Sequence, residues 1–595
     1  MASLSQLITK PPCPAKRTSS ASPSCPFLPA QARAPLSTRT HKRNPAISCS
    51  ANNPNNKNDS DSALNRRDVL IGLGGLYGAT AAVNTNNVAK AEPIATPQVE
   101  KCGAAKLPDG AVPTTCCPPA SAKAAKIFTP PGLDTPLRVR PAAHLVDQAY
   151  IDKFSEALRK MKALPASDPR SFRQQAMIHC AYCDGAYEHA GLPNIELQVH
   201  ESWLFFPFHR CYLYFFERIL GSLINDPTFA MPYWNWDSAA GMKMPPMYTN
   251  PRWPMFNVFR NPDHMPPKMV DLDFGDKDEH NSSHDNFSES AMVEHNLAIM
   301  YRQMRTNSST PEMFFGKAYK AGDKPNPGGG SIESTPHNTV HDWVGDPLQP
   351  NHEDMGNLYS AGRDPLFYAH HSNIDRMWNI WKTLGRRNVD ICDPDWLNAS
   401  FHLYDENAEL VQITVADCLD SERLMRYKYQ DVPIEWLDKK PQVTVTPKTR
   451  SLESRPILKE AQFPLVLDAP VRATVRRPKT NRSDLEKKLT EEVLKISGIK
   501  FDRDIRAKFD VFVNANNHET VAPAGREFIG SFTHVPHKHK HDKMGMGIET
   551  SIQFGLTEVI DDLGINGNET MEVTLVPRHG QGKVTVSGIK VDLTS

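Results

Sequence analysis

Apolar positions recur at helical spacing through most of residues 141–432 and at two-residue spacing beyond residue 461. Phe172, Ala176, His179 and Cys183 mark one helical stripe, opened by Asp168-Pro169 and stopped by Gly185. The run 211–220 is apolar nearly all round, which predicts a buried helix opened by Pro207 and closed by Gly221. Two further helices are predicted over 336–343, led by Pro336, and over 365–382, led by Asp364-Pro365. Further on, Lys508-Phe509-Asp510-Val511-Phe512-Val513, 571–576 and 583–586 alternate as strands do, so 461–595 predicts a small β-sandwich. Ser483 and Glu486 have capping-box spacing, which predicts a helix over 483–498. The fold class is therefore a mainly α domain followed by a C-terminal β-sandwich domain.

The two ends of this pattern are set by composition. Residues 1–58 hold no Asp or Glu but eight Lys or Arg, as an organellar transit peptide does. Arg66-Arg67, the apolar stretch 69–83 and Ala89-Lys90-Ala91 then read as a twin-arginine export signal with its cleavage site. Residues 1–91 are thus expected to be a bipartite targeting peptide addressed to the thylakoid lumen of a chloroplast, leaving 92–437 as the helical domain. Residues 438–460, rich in Lys, Pro, Thr and Ser, read as a linker. Sixty-eight basic against 68 acidic residues argue against nucleic-acid binding. No apolar run reaches the roughly 20 residues that span a bilayer, so stable membrane insertion is not expected. Cys102, Cys116, Cys117 and Cys180 cluster in a loop-rich region and suggest disulfides.

Candidate chemistry lies in six of the 22 histidines. His337 and His341, four apart on a helix, project toward one point, and His371 on the next helix can bring a third nitrogen there. His179, His209 and the intervening His200 repeat the arrangement, so two three-histidine centres face each other inside a four-helix bundle. Three neutral nitrogens and no carboxylate suit copper or zinc. Three ligands leave a coordination position open. Two copper ions at such a pair of centres could share one O2 and exchange two electrons with a bound diphenol, which leaves as a quinone. Cys183, on the face of His179, is open to two readings: thiolate ligand or buried free thiol.

The runs His337-Asn338-Thr339-Val340-His341 and Asp364-Pro365-Leu366-Phe367-Tyr368-Ala369-His370-His371 resemble the copper-B signature of plant polyphenol oxidases. His179-Cys180-Ala181-Tyr182-Cys183, His200 and Phe208-His209-Arg210 resemble the copper-A signature. The double targeting signal, Asp395-Trp396-Leu397, Tyr427-Lys428-Tyr429 and Lys508-Phe509-Asp510-Val511 extend the resemblance over nearly the whole chain. It implies a dinuclear type-3 copper centre held by His179, His200, His209, His337, His341 and His371. His370 is then a neighbour rather than a ligand. It also implies a Cys183–His200 thioether and disulfides Cys102–Cys117 and Cys116–Cys180, with Cys211, Cys392 and Cys418 in the core. Glu333 and Asn338 match positions that hold a catalytic water in some relatives. Leu358 stands where many plant enzymes place a bulky Phe over copper A, leaving a wider substrate gate. Asp342, after His341, is acidic where relatives are often apolar. Asp375 is expected to orient its helix or pair with Arg210 or Arg376.

The activity implied is oxidation of o-diphenols to o-quinones by O2, with some monophenol hydroxylation, from a latent precursor shielded by the C-terminal domain and activated by a protease. The alternatives are a phenol hydroxylase dedicated to one biosynthetic pathway and a copper oxygen-binding protein. The gate and the plastid address favour an enzyme over the latter. His537, His539 and His541 alternate with lysines and are expected in an exposed loop.

Overall fold

The computed structural model describes residues 92–594, apart from 122, 276–286, 443–458 and 538–546. The targeting peptide, most of the linker, His539 and His541 lie outside the described residues.

Four helical segments build the centre. Helix α1 (Phe172–Cys183) begins one turn after the expected cap: Ser171 Oγ accepts from Gln174 N, while Asp168 is engaged by its neighbour Arg170. Helix α2 (Phe205–Leu223) starts two residues before Pro207, which sits in the first turn, where no amide hydrogen is required. Its body, 206–217, is buried on every side, as its all-round apolarity predicts. The third segment is irregular. Residues 333–338 break from helical geometry at Thr335 (φ −146°, ψ 124°), the residue before Pro336, where the proline ring disfavours helix. Helix α3 (Thr339–Val344) continues from there. Helix α4 (Pro365–Trp381) is capped by Asp364, whose Oδ1 accepts from Leu366 N at 2.8 Å while both oxygens receive Arg260.

A buried ion network ties these helices to the strand Arg138–Arg140. Glu217 accepts from Arg138 Nε at 2.7 Å and from Arg140 Nε at 2.8 Å. Asp375 accepts from Arg210, Tyr427 and Tyr429, with Arg140 3.3 Å away. Arg210 is thus the expected partner of Asp375, whereas Arg376 binds Asp237 at 3.0 Å. Disulfides Cys102–Cys117 and Cys116–Cys180 join the loop-rich start of the domain to itself and to α1. Cys211 and Cys418 are buried as expected. Cys392 is not: it is exposed, on the loop leading to the short helix Pro394–Leu397 rather than in the core.

The C-terminal domain consists of two five-stranded sheets around one apolar core. In chain order its strands are β1 (Lys459–Glu460), β2 (Leu465–Val466), β3 (Val471–Arg476), β4 (Glu491–Phe501) and β5 (Ala507–Val513). They continue with β6 (Phe528–His534), β7 (Ile548–Gly555), β8 (Thr570–His579), β9 (Thr585–Val586) and β10 (Gly588–Thr594). One sheet runs β6-β5-β8-β3-β1, the other β7-β4-β9-β2 with β10 also paired to β4. The helix expected over 483–498 is cut short. Its capping box forms at Ser483 and Glu486, but the helix ends at Leu489 and the chain passes into β4.

Candidate metal centre

Every one of the six histidines is buried, and each trio converges. In the first, ring centroids lie 5.1 Å apart for His179–His200, 5.1 Å for His200–His209 and 5.6 Å for His179–His209. In the second, His371 Nε2 lies 3.3 Å from His337 Nε2 and 3.2 Å from His341 Nε2. The trios face each other: the rings of His209 and His371 stack at 4.2 Å and those of His200 and His337 at 5.8 Å.

Five of the six opposite ring nitrogens are held from outside; Nδ1 of His371 is buried without a hydrogen-bond partner. Nδ1 of His179 lies 2.7 Å from Leu358 O, that of His209 2.8 Å from Phe205 O, and that of His341 2.7 Å from Met355 O. His337 Nδ1 lies 2.8 Å from Asn338 Oδ1, and His200 Nδ1 3.2 Å from Gln198 Oε1. An acceptor at Nδ1 places the proton there and leaves the Nε2 lone pair facing inward, the arrangement metal-binding imidazoles use. Nε2 of His179, His200 and His209 is buried and has no hydrogen-bond partner. Burial pushes His179 down to about 3 and His341 to about 4, and drives His200, His209, His337 and His371 well below the ordinary value. Neutral imidazoles with inward lone pairs fit a pair of copper ions.

His370 belongs to the same cluster but faces differently: its Nδ1 accepts from Trp236 Nε1 at 3.2 Å. Gln198, with no motif to mark it, receives the backbone N–H of His200 and donates to Cys183 O at 2.8 Å, coupling the two residues. Cys183 is buried, and its thiol is pushed well up by burial and then by Asp184 and Glu333. Of the other sequence-marked residues, Leu358 is buried and holds His179 through its carbonyl. Glu333 Oε1 accepts from Glu201 N at 2.6 Å, and burial raises this carboxyl well above its usual range.

The C-terminal domain reaches the same region. Asn338 Nδ2 donates to Thr533 O at 2.7 Å, Leu358 N to Pro536 O at 3.3 Å, and Asp342 pairs with Arg506 at 3.2 Å. Glu201, Glu333, Asn338 and Thr533 line a small cavity large enough for one water molecule. His537 is not exposed, as its lysine-rich surroundings suggested. It is buried, with its ring 4.9 Å from that of His534, because this segment is pressed between the domains.

Three family models match consecutive parts of the chain. The common central domain of tyrosinase covers 169–384, the polyphenol oxidase middle domain 390–442, and the chloroplastic polyphenol oxidase C-terminal domain 463–593. A chloroplastic polyphenol oxidase of Malus domestica is 49% identical over the full length of both chains. A chloroplastic (+)-larreatricin hydroxylase of Larrea tridentata is 47% identical, over 92% of this chain and 94% of its own. The solved structure of latent apple tyrosinase superposes with a TM-score of 0.74 at 50% identity, over 79% of this chain and all of that one. With facing histidine trios fit for a type-3 copper pair and full-length similarity on this scale, the chain belongs to the plant polyphenol oxidases of the tyrosinase family, plastid enzymes that oxidise phenols.

Proposed function

We propose that this chain is a catechol oxidase made as a latent precursor: it oxidises two o-diphenols to o-quinones for each O2 reduced to two waters. The observation that carries this reading is the set of inward Nε2 atoms, each trio aimed at its own point and the two points adjoining. His179, His200 and His209 would hold one copper, and His337, His341 and His371 the other. When bound, the pair supplies the two-electron exchange between O2 and the phenol. The protein's part is positional. The carbonyls of Leu358, Phe205 and Met355 fix three rings, and the side chains of Asn338 and Gln198 fix two more. A thioether from Cys183 to His200 would lock one ring covalently, alongside the bridge that Gln198 makes between these residues.

Glu333 is the general base in this reading. Its Oε2 is buried without a hydrogen-bond partner, and the carboxyl is raised by burial, so it can receive a phenol proton directly or through one water. Asn338 Nδ2, released from Thr533 O once the C-terminal domain leaves, becomes a donor for that water or the phenol oxygen. Leu358 is assigned as the gate. A protease cut within 438–460 and departure of the 461–595 domain would open the cleft, and the 1–91 peptide would deliver the chain to the thylakoid lumen.

A second reading, a hydroxylase dedicated to one phenol, is favoured by the Larrea relative. The test of both is the copper-loaded chain, cut in the linker and freed of its C-terminal piece. Two coppers per chain, catechol turnover well above that of the uncut protein and a tyramine rate far below the dopamine rate are expected. Equal tyramine and dopamine rates would favour the hydroxylase.

A further inference from the structure

The connection between α3 and α4, residues 345–364, sends two of its carbonyls back to the metal centre, one to each trio. Met355 O lies 2.7 Å from Nδ1 of His341, and Leu358 O lies 2.7 Å from Nδ1 of His179. Three residues apart in sequence, these carbonyls orient one ligand of each copper site. An acceptor at Nδ1 keeps the ring's lone pair on Nε2, so the shape of this connection sets two rings at once.

That shape is closed by one carboxylate. Glu353 Oε2 accepts from Asn351 N at 2.8 Å, while Oε1 accepts from Asn351 Nδ2 at 2.9 Å and from the Tyr359 hydroxyl at 2.6 Å. Asn351 precedes Met355 and Tyr359 follows Leu358, so these donors draw both ends of the segment onto one side chain. Glu353 and Tyr359 are both buried. Burial would raise the Glu353 carboxyl, but the donors from Tyr359 and Asn351 outweigh it and hold it below its ordinary range. Each donor therefore faces a charged acceptor, the stronger kind of hydrogen bond.

The backbone around this clamp is held as closely. Glu353 O accepts from Asp346 N at 3.2 Å, and Asp354 N donates to Phe259 O at 3.3 Å. Asp354 Oδ2 accepts from Asn257 Nδ2 at 2.7 Å, and Asp354 O from Ser360 Oγ at 2.7 Å. Gly345, just after α3, passes so near Gly356 that a Cβ on it would stand 2.8 Å from Gly356 Cα.

We propose that Glu353 is a positioning residue for both copper sites: its carboxylate fixes Met355 O and Leu358 O, and through them His341 and His179. This role rests on the reading of the two trios as copper ligands and adds the side chain on which one ligand of each depends.

The test is copper retention in the intact, folded chain. The copper-loaded parent, E353Q, Y359F and V573A are incubated with excess EDTA, and copper per chain is followed by atomic absorption while circular dichroism checks the fold. In E353Q an amide N–H2 must face one of the donors, which opens the clamp. Both coppers are then expected to leave at least about tenfold faster than from the parent, the scale on which metal sites respond to loss of an orienting group. Y359F keeps the carboxylate and removes one donor; it should speed the loss less, and it keeps the role testable if E353Q does not fold. V573A truncates the core of the C-terminal domain and should release copper at the parent's rate. Faster loss of one copper only, or loss from V573A as fast as from E353Q, would overturn the role of Glu353. A parent holding fewer than two coppers would sink the ligand assignment and this role with it. Two coppers on the parent that folded E353Q keeps equally well would sink this role alone.

Discussion

Glu217 shows how one side chain can anchor a helix that carries a metal ligand. It lies on α2, two turns beyond His209, and is completely buried, which alone would push its carboxyl up. The guanidiniums of Arg140 and Arg138 outweigh that burial and hold it below its ordinary value of 4.5. Because the folded value lies below the unfolded one, the stabilisation is present above the ordinary carboxylate range and is lost as the pH falls through the depressed native value. E217Q strips Arg138 of its carboxylate and leaves Arg140 with the more distant Asp375, a loss of about 3–5 kcal/mol. Denaturant unfolding at pH 7 should show that loss, and the gap between E217Q and the parent should close as the pH drops below about 4. A gap that stayed constant down to pH 3 would mean that the carboxylate's charge contributes nothing. None of this was legible beforehand. Glu217 sits inside an apolar run with no local partner, and Arg138 and Arg140 reach it from 77 or more residues away.

At the scale of elements, the histidine-bearing segments were readable because spacing and capping agree: His337 and His341 four apart, Asp364-Pro365 opening α4, Gly221 near the end of α2. The misreading of 483–498 as one helix has a physical cause. Residues 491–494 of β4 are all buried, because Glu491 accepts from Thr557 N and Glu492 pairs with Arg477 and Arg482, so the segment lacks the alternation that marks a half-exposed strand. The groups that orient the ligands are mostly backbone carbonyls, Leu358, Phe205 and Met355, and a carbonyl leaves no trace in a sequence. The glycine run 328–330 was visible only as a loop, yet it lets one backbone cross another. A Cβ on Gly330 would stand 1.9 Å from Phe314 O and 2.7 Å from Phe314 C, backbone atoms that cannot swing aside. This crossing fixes the approach to Glu333, three residues on. G330A should therefore cost at least ~2 kcal/mol and lower the melting temperature. G191A, at a position with φ +78° and nothing within 4 Å, should pay only the smaller backbone penalty. Equal stability of G330A and the parent would show that the crossing relaxes freely.

For the whole molecule, the question is what a cut in the linker changes. Among the described residues, the two domains are joined by many contacts made outside the linker. Phe512, Ala515, Phe528, Val535 and Val576 of the C-terminal domain belong to the same apolar core as the catalytic helices. Asn307 bonds to Ile529 O at 2.9 Å and to Gly555 N at 3.0 Å; Tyr301 and Thr306 both donate to Glu558; Thr533 and Ser531 bond to Ser334. Cutting the chain removes none of these. It replaces a tethered domain, present at high effective concentration, with a partner that can leave at a rate set by the same contacts. Cleavage and activation should therefore be separable. The cut protein is expected to migrate as one particle in low salt at micromolar concentration and to remain nearly as inactive as the intact chain. Activity should rise only as dilution, or salt that screens the Asp342–Arg506 and Asp273–Lys508 pairs, lets the pieces part. Sedimentation and catechol turnover followed on the same samples would track each other if this is right. Full activity in a particle that has not come apart would mean that opening needs only a hinge movement and that these contacts do not hold the cover shut.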